Sequence, residues 1–241
     1  ILFLCCNYIF CMLQYNYRLE ILTTTIFYKG VIIMIINIAH TKGGVGKTAI
    51  ATNLSIAFAS PILDLDIQQS SNRFFQLREE EGLNTLPVYN HLTDELIQKY
   101  KSNPKHHLII DSGGMDNDVI RKGLEVADLI ITPVSLSQVE IFGLQDFNDL
   151  LNSSDIIQRT KTFVLLNNVN LRAKKEIIMA RNLIEEEFEF KLLDTMLGSR
   201  KAYKEAYSLG KNTVELSPTS PAGQEIISLT NELKKHIKKM R

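Results

Sequence analysis

The chain has 241 residues, of which 45% are hydrophobic and 22% are charged. These proportions are typical of one globular domain with a proper core, and they exclude a disordered or fibrous chain. Lysine and arginine together number 27, as do aspartate and glutamate, so the formal net charge is zero. Bulk positive charge therefore cannot hold nucleic acid, and any such binding requires a local basic patch.

All three cysteines, Cys5, Cys6 and Cys11, lie within the first eleven residues. Disulfides, thiolate metal sites and iron–sulfur sites are therefore excluded from the rest of the chain, which we expect to be reduced and cytoplasmic. The five histidines lack the His-x-x-x-His spacing of a metal site, so no zinc centre is expected. We expect His40, which follows the first predicted strand, to be a packed side chain.

Residues 1–33 differ in composition from the remainder of the chain, with only three charged side chains. The apolar run Ile1–Leu13 is too short to span a bilayer, and it lacks the features of a secretory signal. The codons of Lys29 and Gly30 form a purine-rich stretch before Met34, as at a bacterial ribosome-binding site. We therefore expect residues 1–33 to be translated upstream DNA. The alternative is a genuine extension, whether disordered, ordered or membrane-associating.

From Met34 onward, short apolar runs alternate with segments of helical spacing. Continuous apolar runs are typical of buried parallel strands, and this alternation predicts a doubly wound α/β sheet in one domain, residues 34–241. Ser137 and Glu140 match a capping box at the start of a helix. Pro104, Pro218 and Pro221 are expected in loops. The predicted strands are 34–39, 61–65, 107–111, 128–133, 162–167 and 191–195.

A glycine-rich loop lies between the first strand and a helix predicted over residues 49–59. Its glycines let backbone N–H groups turn inward around a phosphate, and the helix N-terminus adds partial positive charge. Lys47 would reach the β- and γ-phosphates, and the Thr48 hydroxyl would ligate Mg²⁺. The alternative, a glycine-rich turn with an incidental lysine, is disfavoured by the flanking strand and helix. The predicted nucleotide-binding residues are Lys42, Gly43, Gly44, Val45, Gly46, Lys47, Thr48 and Ala49.

Where the general phosphate-loop motif begins with glycine, this chain has Thr41, followed by Lys42. The run Lys42-Gly-Gly-Val-Gly-Lys-Thr resembles the deviant Walker A box of the ParA/MinD family of ATPases. The resemblance implies a P-loop NTPase of the SIMIBI type, with helices on both faces of a mostly parallel sheet. It also implies that Lys42 crosses a homodimer to touch the partner subunit's phosphates, so that ATP joins the two subunits.

Two further segments are similar to motifs of this family. Ile62–Gln68 resembles the Walker A′ segment, D-x-D-P-Q, and Leu108–Gly114 resembles Walker B. The resemblance implies that Asp66 orients the attacking water or lies beside the metal, and that Asp111 holds Mg²⁺ through water. Ile67 replaces the family proline and leaves φ unfixed, which bears on hydrolysis more than on ATP binding. The predicted catalytic residues are Lys42, Lys47, Asp66 and Asp111, and the predicted metal-binding residues are Thr48, Asp66 and Asp111.

The resemblance extends to the C-terminus through Ala127–Val134, Glu205–Lys211 and Ser217–Pro221. Gly113–Asp116 is similar to the small plasmid-type ParA proteins. Fewer than ten residues separate Met34 from Lys42, which leaves no room for the helix-turn-helix of the larger ParA proteins. Sequence-specific DNA reading would therefore belong to a partner protein.

ParA-like proteins bind DNA without sequence preference when they are dimeric with ATP. The candidate contacts here are Arg200, Lys201, Lys204 and Lys211, with Arg200 and Lys204 expected on one helix face. The alternative for each lysine is an ordinary solvated surface. The last helix adds Lys234, Lys235, Lys238, Lys239 and Arg241, and its apolar residues Ile226, Leu229, Leu233, Ile237 and Met240 are expected to face the core.

The resemblance implies a plasmid or chromosome partition ATPase, cytoplasmic and nucleoid-associated, with ATP and Mg²⁺ as cofactors. Its weak intrinsic hydrolysis would be stimulated by a ParB-like or small centromere-binding protein. The alternative is a MinD-like membrane-associated switch or adaptor. The apolar face of the last helix has no Phe or Trp, which favours DNA without excluding anionic lipid, and no stable membrane insertion is expected.

Overall fold

The computed structural model describes residues 34–102, 107–114, 117–153, 162–188 and 190–240. The expectations for residues 1–33 and for Pro104 and Arg241 fall outside these described residues. The fold below is that of the described part of the chain.

Seven parallel strands form one sheet, which confirms the predicted fold class. Their order is β3-β2-β4-β1-β5-β6-β7. The strands are β1 (Ile35–Ile38), β2 (Ile62–Asp64), β3 (Val88–Tyr89), β4 (Leu108–Asp111), β5 (Leu129–Val134), β6 (Thr162–Leu166) and β7 (Lys191–Leu192). The predicted strand 191–195 is thus only two residues long, and the sequence did not predict the two-residue β3.

Helices connect successive strands and cover both faces of the sheet. All four residues of β1 are therefore buried, although successive side chains point to opposite faces. The helices are α1 (Lys47–Ala57), α2 (Ser70–Glu80), α3 (Asp94–Ser102), α4 (Asp118–Val126), α5 (Gln138–Asn152), α6 (Lys174–Glu187), α7 (Lys201–Ser208), α8 (Thr213–Leu216) and α9 (Pro221–Lys239).

Helix ends follow the expected capping chemistry with two differences. The Ser137 hydroxyl accepts a hydrogen bond from the Glu140 backbone N–H, as predicted, but the Glu140 carboxylate accepts one from the backbone of Ser135. Pro221 does not lie in a loop: it is the first residue of α9, where proline's fixed φ suits a helix and its missing N–H costs nothing.

The apolar face of α9 packs as expected, with Ile226, Leu229, Leu233 and Ile237 buried. Met240, which follows the last turn, is 40% exposed, so the prediction that it faces the core is wrong. The helix has ended at Lys239, and the periodicity no longer directs the next side chain inward.

The sheet register gathers three motifs at one edge. Ile38, the last residue of β1, pairs with Asp111, which also pairs with Asp64 at the end of β2. The segments that follow these three strands therefore leave the sheet side by side. In parallel sheets, the carboxyl ends of the central strands are where ligands bind.

Candidate nucleotide-binding site

The loop between β1 and α1 has a backbone that only glycine adopts easily at two positions. Gly44 and Gly46 have φ angles of 80° and 96°, in the left-handed region. A Cβ at Gly46 would collide with the side-chain amide of Asn167, whose Nδ2 donates a hydrogen bond of 2.8 Å to the Val45 carbonyl. Asn167, which the sequence analysis did not single out, thus holds the loop from the end of β6.

Lys47 is the first residue of α1 and is 6% exposed. Its Nζ donates a 2.7 Å hydrogen bond to the Lys42 carbonyl, across the loop. Burial lowers the pKa of this ammonium, while the nearby carboxylates of Asp111 and Asp66 act in the opposite direction. A buried cation bonded to a carbonyl of the phosphate loop can exchange that bond for a phosphate oxygen when nucleotide binds.

Lys42 follows a different path from Lys47. Its Nζ donates a 3.2 Å hydrogen bond to the carbonyl of Val139, in the first turn of α5. A Cβ at Gly143 would lie 3.1 Å from His40 Cε1 and 3.4 Å from Lys42 Cδ, so the absent side chain makes room chiefly for the His40 ring, with the lysine stem beside it. The two lysines of the motif therefore have separate anchors, one inside the loop and one on the neighbouring helix.

His40 is a packed side chain, as expected, and is 2% exposed. Its ring stacks on Phe147 with 5.7 Å between ring centroids, and its Nδ1 accepts a hydrogen bond from the Lys42 backbone N–H. Burial, reinforced by the charges of Lys47 and Lys42, lowers the pKa of His40 to about 4. The imidazole is therefore neutral near pH 7, which keeps Nδ1 available as an acceptor.

Asp111 is completely buried at the end of β4. Its Oδ2 accepts a 2.7 Å hydrogen bond from the Ser71 hydroxyl, while its Oδ1 has no hydrogen-bond partner in the described part of the chain. Burial raises the pKa of Asp111 to about 7, although Ser71, Thr48 and Lys47 lower it. A buried carboxylate oxygen without a partner, close to the hydroxyl of Thr48, is a donor set that fits Mg²⁺ or its bound water.

The two aspartates of the D-x-D segment differ in environment. Asp64, which the sequence analysis left without a role, is 2% exposed and accepts hydrogen bonds from the backbone N–H groups of Asp66 and Asn72. Burial is the main cause that raises the pKa of Asp64. Asp66 is half-buried, and its carboxylate accepts a hydrogen bond from the backbone of Gln68. Asp64 therefore shapes the loop that presents Asp66.

The Walker B segment approaches the other motifs after β4, most closely at Gly114, where a side chain would crowd the phosphate loop. A Cβ at Gly114 would lie 3.0 Å from the backbone nitrogen of Gly43, in the phosphate loop. A Cβ at Gly113 would lie 3.5 Å from Asp66 Cα. The structure thus brings together all the residues predicted to bind phosphate and metal, although their roles in catalysis stay predictions.

Helix α2 connects this site to α7 and α8. At its start, the Ser70 carbonyl accepts a 2.7 Å hydrogen bond from the hydroxyl of Tyr207, on α7. At its end, Arg78 forms a two-point ion pair with Glu215 at 2.8 Å, and it also donates to the Gly210 carbonyl. The helix that carries the hydroxyl bound to Asp111 is thereby fixed at both ends.

A cavity of about 680 Å³ adjoins the phosphate loop. Gly44, Gly46 and Ala49 line one side, and Asn167 and Asn168 line another. This volume is sufficient for the base and ribose of a nucleotide. Asn167 and Asn168 were not predicted as part of the site. Two asparagines after a strand are also typical of an ordinary turn, so the sequence alone does not indicate a binding role.

The predicted DNA contacts do not form one helix face. Helix α7 begins at Lys201, and Arg200 precedes it with an extended backbone, so the prediction that Arg200 and Lys204 share a helix face is wrong. Glu225 draws the guanidinium away, with Nε to Oε1 at 2.7 Å. Lys201 and Lys204 are exposed at the rim of the cavity, and Lys211 is half-buried.

The basic residues of α9 lie on its outer face. Lys234, Lys235, Lys238 and Lys239 are all exposed. The Lys234 ammonium lies 5.7 Å from the ring centroid of Phe58, at the end of α1. Within the described ranges, every helix is too short or too polar to cross a membrane.

Comparisons with known proteins agree with this geometry. Residues 36–214 match the model of the CobQ/CobB/MinD/ParA nucleotide binding domain. The maintenance of carboxysome distribution protein A of Halothiobacillus neapolitanus is 23% identical over 205 residues, which cover 81% of this chain and 94% of that protein.

Solved structures share the fold. The MinC:MinD cell division complex of Aquifex aeolicus has a TM-score of 0.67 and 18% identity, covering 83% of this chain and 95% of that one. A Borrelia burgdorferi protein assigned to plasmid partition and bound to AMPPNP has a TM-score of 0.65 and 15% identity, covering 85% and 100%. Because the family model matches well over half of the sequence, the chain belongs to the CobQ/CobB/MinD/ParA family of nucleotide-binding proteins.

Proposed function

We propose that this protein is an ATPase that partitions or positions a cellular cargo, with a plasmid or chromosome as the cargo that its motifs favour. The observation that carries the proposal is the pair of lysines in the phosphate loop. Lys47 is buried inside the loop, whereas Lys42 is anchored by its ammonium to one carbonyl on α5. Because the Lys42 ammonium is held on α5 and not inside its own loop, it is available to a phosphate that lies outside its own subunit.

Nucleotide binding would use the groups gathered at the sheet edge. The glycine backbone and Lys47 would hold the phosphates, and the cavity beside Asn167 would take the nucleoside. Thr48 and Asp111 would hold Mg²⁺, which neutralises phosphate charge when it is bound. Asp66, at the mouth of the site, would orient the attacking water.

ATP would then control dimer formation. Release of Lys42 from Val139 breaks one exposed hydrogen bond to a neutral carbonyl, and contact with the partner subunit's phosphates replaces it with an ion pair in which both groups are charged. Hydrolysis removes the γ-phosphate and with it part of this contact, so the dimer opens. We propose also that intrinsic ATP hydrolysis is weak and that a centromere-binding partner stimulates it.

DNA binding would rest on local charge, since the whole chain is neutral. Lys201, Lys204 and Lys211, together with the exposed lysines of α9, are the candidates. Arg200 stays a candidate as well, with a side chain that is 30% exposed and already paired with Glu225. The second candidate function, a membrane-associated switch, is favoured only by the exposure of Met240 beside Lys238 and Lys239.

Co-sedimentation with DNA and with anionic vesicles tests the proposal. The full-length protein should be retained on DNA with ATP and not with ADP, at near-physiological salt. A Lys235→Glu, Lys239→Glu variant should lose DNA retention and keep ATP binding, because α9 does not line the cavity beside the phosphate loop, while the control Lys101→Glu, on α3, should change neither. ATP-dependent retention on vesicles without retention on DNA would refute the partition assignment and favour the membrane switch.

A further inference from the structure

Helix α6 has exposed apolar side chains that do not pack against the sheet. Ile177, Ala180 and Ile184 are the residues that it buries against the core. On its outer side Ile178 is 58% exposed, Met179 is 71% exposed and Leu183 is 39% exposed. Three large apolar side chains within six residues of one helix form a patch that ordinary surface composition does not require.

The two ends of the same helix differ in net charge, although Glu176 lies beside the two lysines in the first turn. Lys174 and Lys175 lie at its N-terminus and Glu186 and Glu187 lie at its C-terminus, all exposed. No ion pair of these four residues is formed with any other described residue. These four charges oppose the helix macrodipole, whereas Glu176 in the first turn favours it, and Ala173 at the N-cap provides no side-chain hydrogen bond. The arrangement therefore costs helix stability in the isolated subunit.

We propose that this face pairs in antiparallel fashion with α6 of a second copy of the chain, about a two-fold axis. Lys175, Met179, Asn182 and Glu186 are spaced by four, three and four residues, which is the seam of a helix pair. Antiparallel pairing about the centre of this seam sets Lys175 opposite Glu186 of the partner subunit, twice. Met179 then faces Asn182 of the partner subunit, and the apolar Ile178 and Leu183 flank the seam.

The contact is weak by its size. A helix of 14 residues is about 21 Å long, and one face of it buries less than the roughly 800 Å² per partner of a stable complex. The like charges Glu176 and Glu187 lie on one flank, where they oppose the contact. Pairing is therefore expected only at high protein concentration, or where another contact brings several copies together.

The α6 contact is independent of nucleotide and of the proposed function. It uses a helix that carries none of the phosphate-binding residues. If ATP also joins subunits through the phosphate loop, as proposed above, each subunit has two different two-fold contacts. Each contact alone gives a closed dimer, and using both links dimers into a larger assembly, a closed tetramer or an open row according to the angle between the two axes.

Charge exchange tests the pairing in the full-length protein. Sedimentation velocity without nucleotide, at low salt and increasing protein concentration, should show reversible dimers. Lys175→Glu or Glu186→Lys alone should weaken association about tenfold, since each turns two attractive contacts repulsive. The two changes combined should restore association, because the opposite charges face each other again. The control pair Lys101→Glu with Glu80→Lys, on other helices, should have no effect.

Cross-linking tests the register. Chains in which Cys5, Cys6 and Cys11 are replaced by serine would carry either Met179→Cys or Asn182→Cys. Mixing the two under mild oxidation should give predominantly the 179–182 disulfide between chains, with Glu185→Cys in place of Asn182→Cys as the control. A monomer at every concentration, failure of the combined charge exchange to restore association, or equal cross-linking by the control would each overturn the proposal.

Discussion

Replacing Asp111 with asparagine should remove a pH-dependent loss of stability from the nucleotide-free protein. The pKa of this buried carboxyl is raised from 3.8 to about 7, so the folded state disfavours its ionisation. The stability it provides is complete below pH 3.8 and is lost as the pH rises toward 7. At about 1.4 kcal/mol per pKa unit, full ionisation costs roughly 4 kcal/mol, of which about 3 kcal/mol falls between pH 5 and 8.

The Asp111→Asn variant cannot ionise at this position, so it should not incur this loss. Its amide oxygen can still accept the Ser71 hydrogen bond, whereas its NH₂ group costs about 1–3 kcal/mol if it stays unpaired, at every pH. The difference in unfolding free energy between variant and wild type should therefore shift by about 3 kcal/mol in favour of the variant from pH 5 to 8. The opposing titration of His40 cancels in this difference.

Urea denaturation at pH 5, 6, 7 and 8, without nucleotide or Mg²⁺, measures this shift. Asp146→Asn, which changes an exposed carboxylate on α5, is the matched control and should give the same pH profile as the wild type. Parallel pH profiles for wild type and Asp111→Asn would refute the reasoning, since they would mean that burial of Asp111 carries no such cost.

Three other substitutions test the site and its support. Gly46→Ala should reduce ATP affinity more than a hundredfold in calorimetry, because the new Cβ would collide with the Asn167 side chain. The control Gly82→Ala also has a positive φ but has open space around its Cβ, and it should leave ATP affinity unchanged. Ser71→Ala should weaken ATP binding about tenfold with Mg²⁺ and not with EDTA; equal weakening in both would contradict its support of the metal ligand. Arg78→Met should lower the unfolding free energy by about 3 kcal/mol, because it removes the ion pair with Glu215 and the hydrogen bonds of Arg78 to two carbonyls. A loss below about 1 kcal/mol would contradict a structural role for buried Arg78 and its half-buried partner.

The strands and the phosphate loop could be predicted from the sequence because each depends on a pattern of a few adjacent residues. The apolar runs gave six of the seven strands, and the glycine spacing located the loop. Asp111 was predictable for the same reason, since an apolar strand that ends in a carboxylate is a local signal. The two-residue β3 was not predictable, because Val88 and Tyr89 are too few to show a period.

Long-range pairs account for the errors and omissions at the site. Glu225, 25 positions further along the chain, binds the Arg200 guanidinium, and no local pattern predicts this pair. The support that Ser71 gives Asp111 and that Asn167 gives the phosphate loop joins residues 40 and more than 100 positions apart. Such contacts depend on tertiary structure, and nothing in the neighbouring sequence marks them.

Sedimentation equilibrium with a slowly hydrolysed ATP analogue tests the central claim, that Lys42 makes ATP a link between two subunits. At about 10 µM protein, where the α6 contact is negligible, the wild type should be a dimer with the analogue and a monomer with ADP. Lys42→Ala should bind the analogue and remain a monomer. Dimer formation by Lys42→Ala equal to that of the wild type would contradict the account.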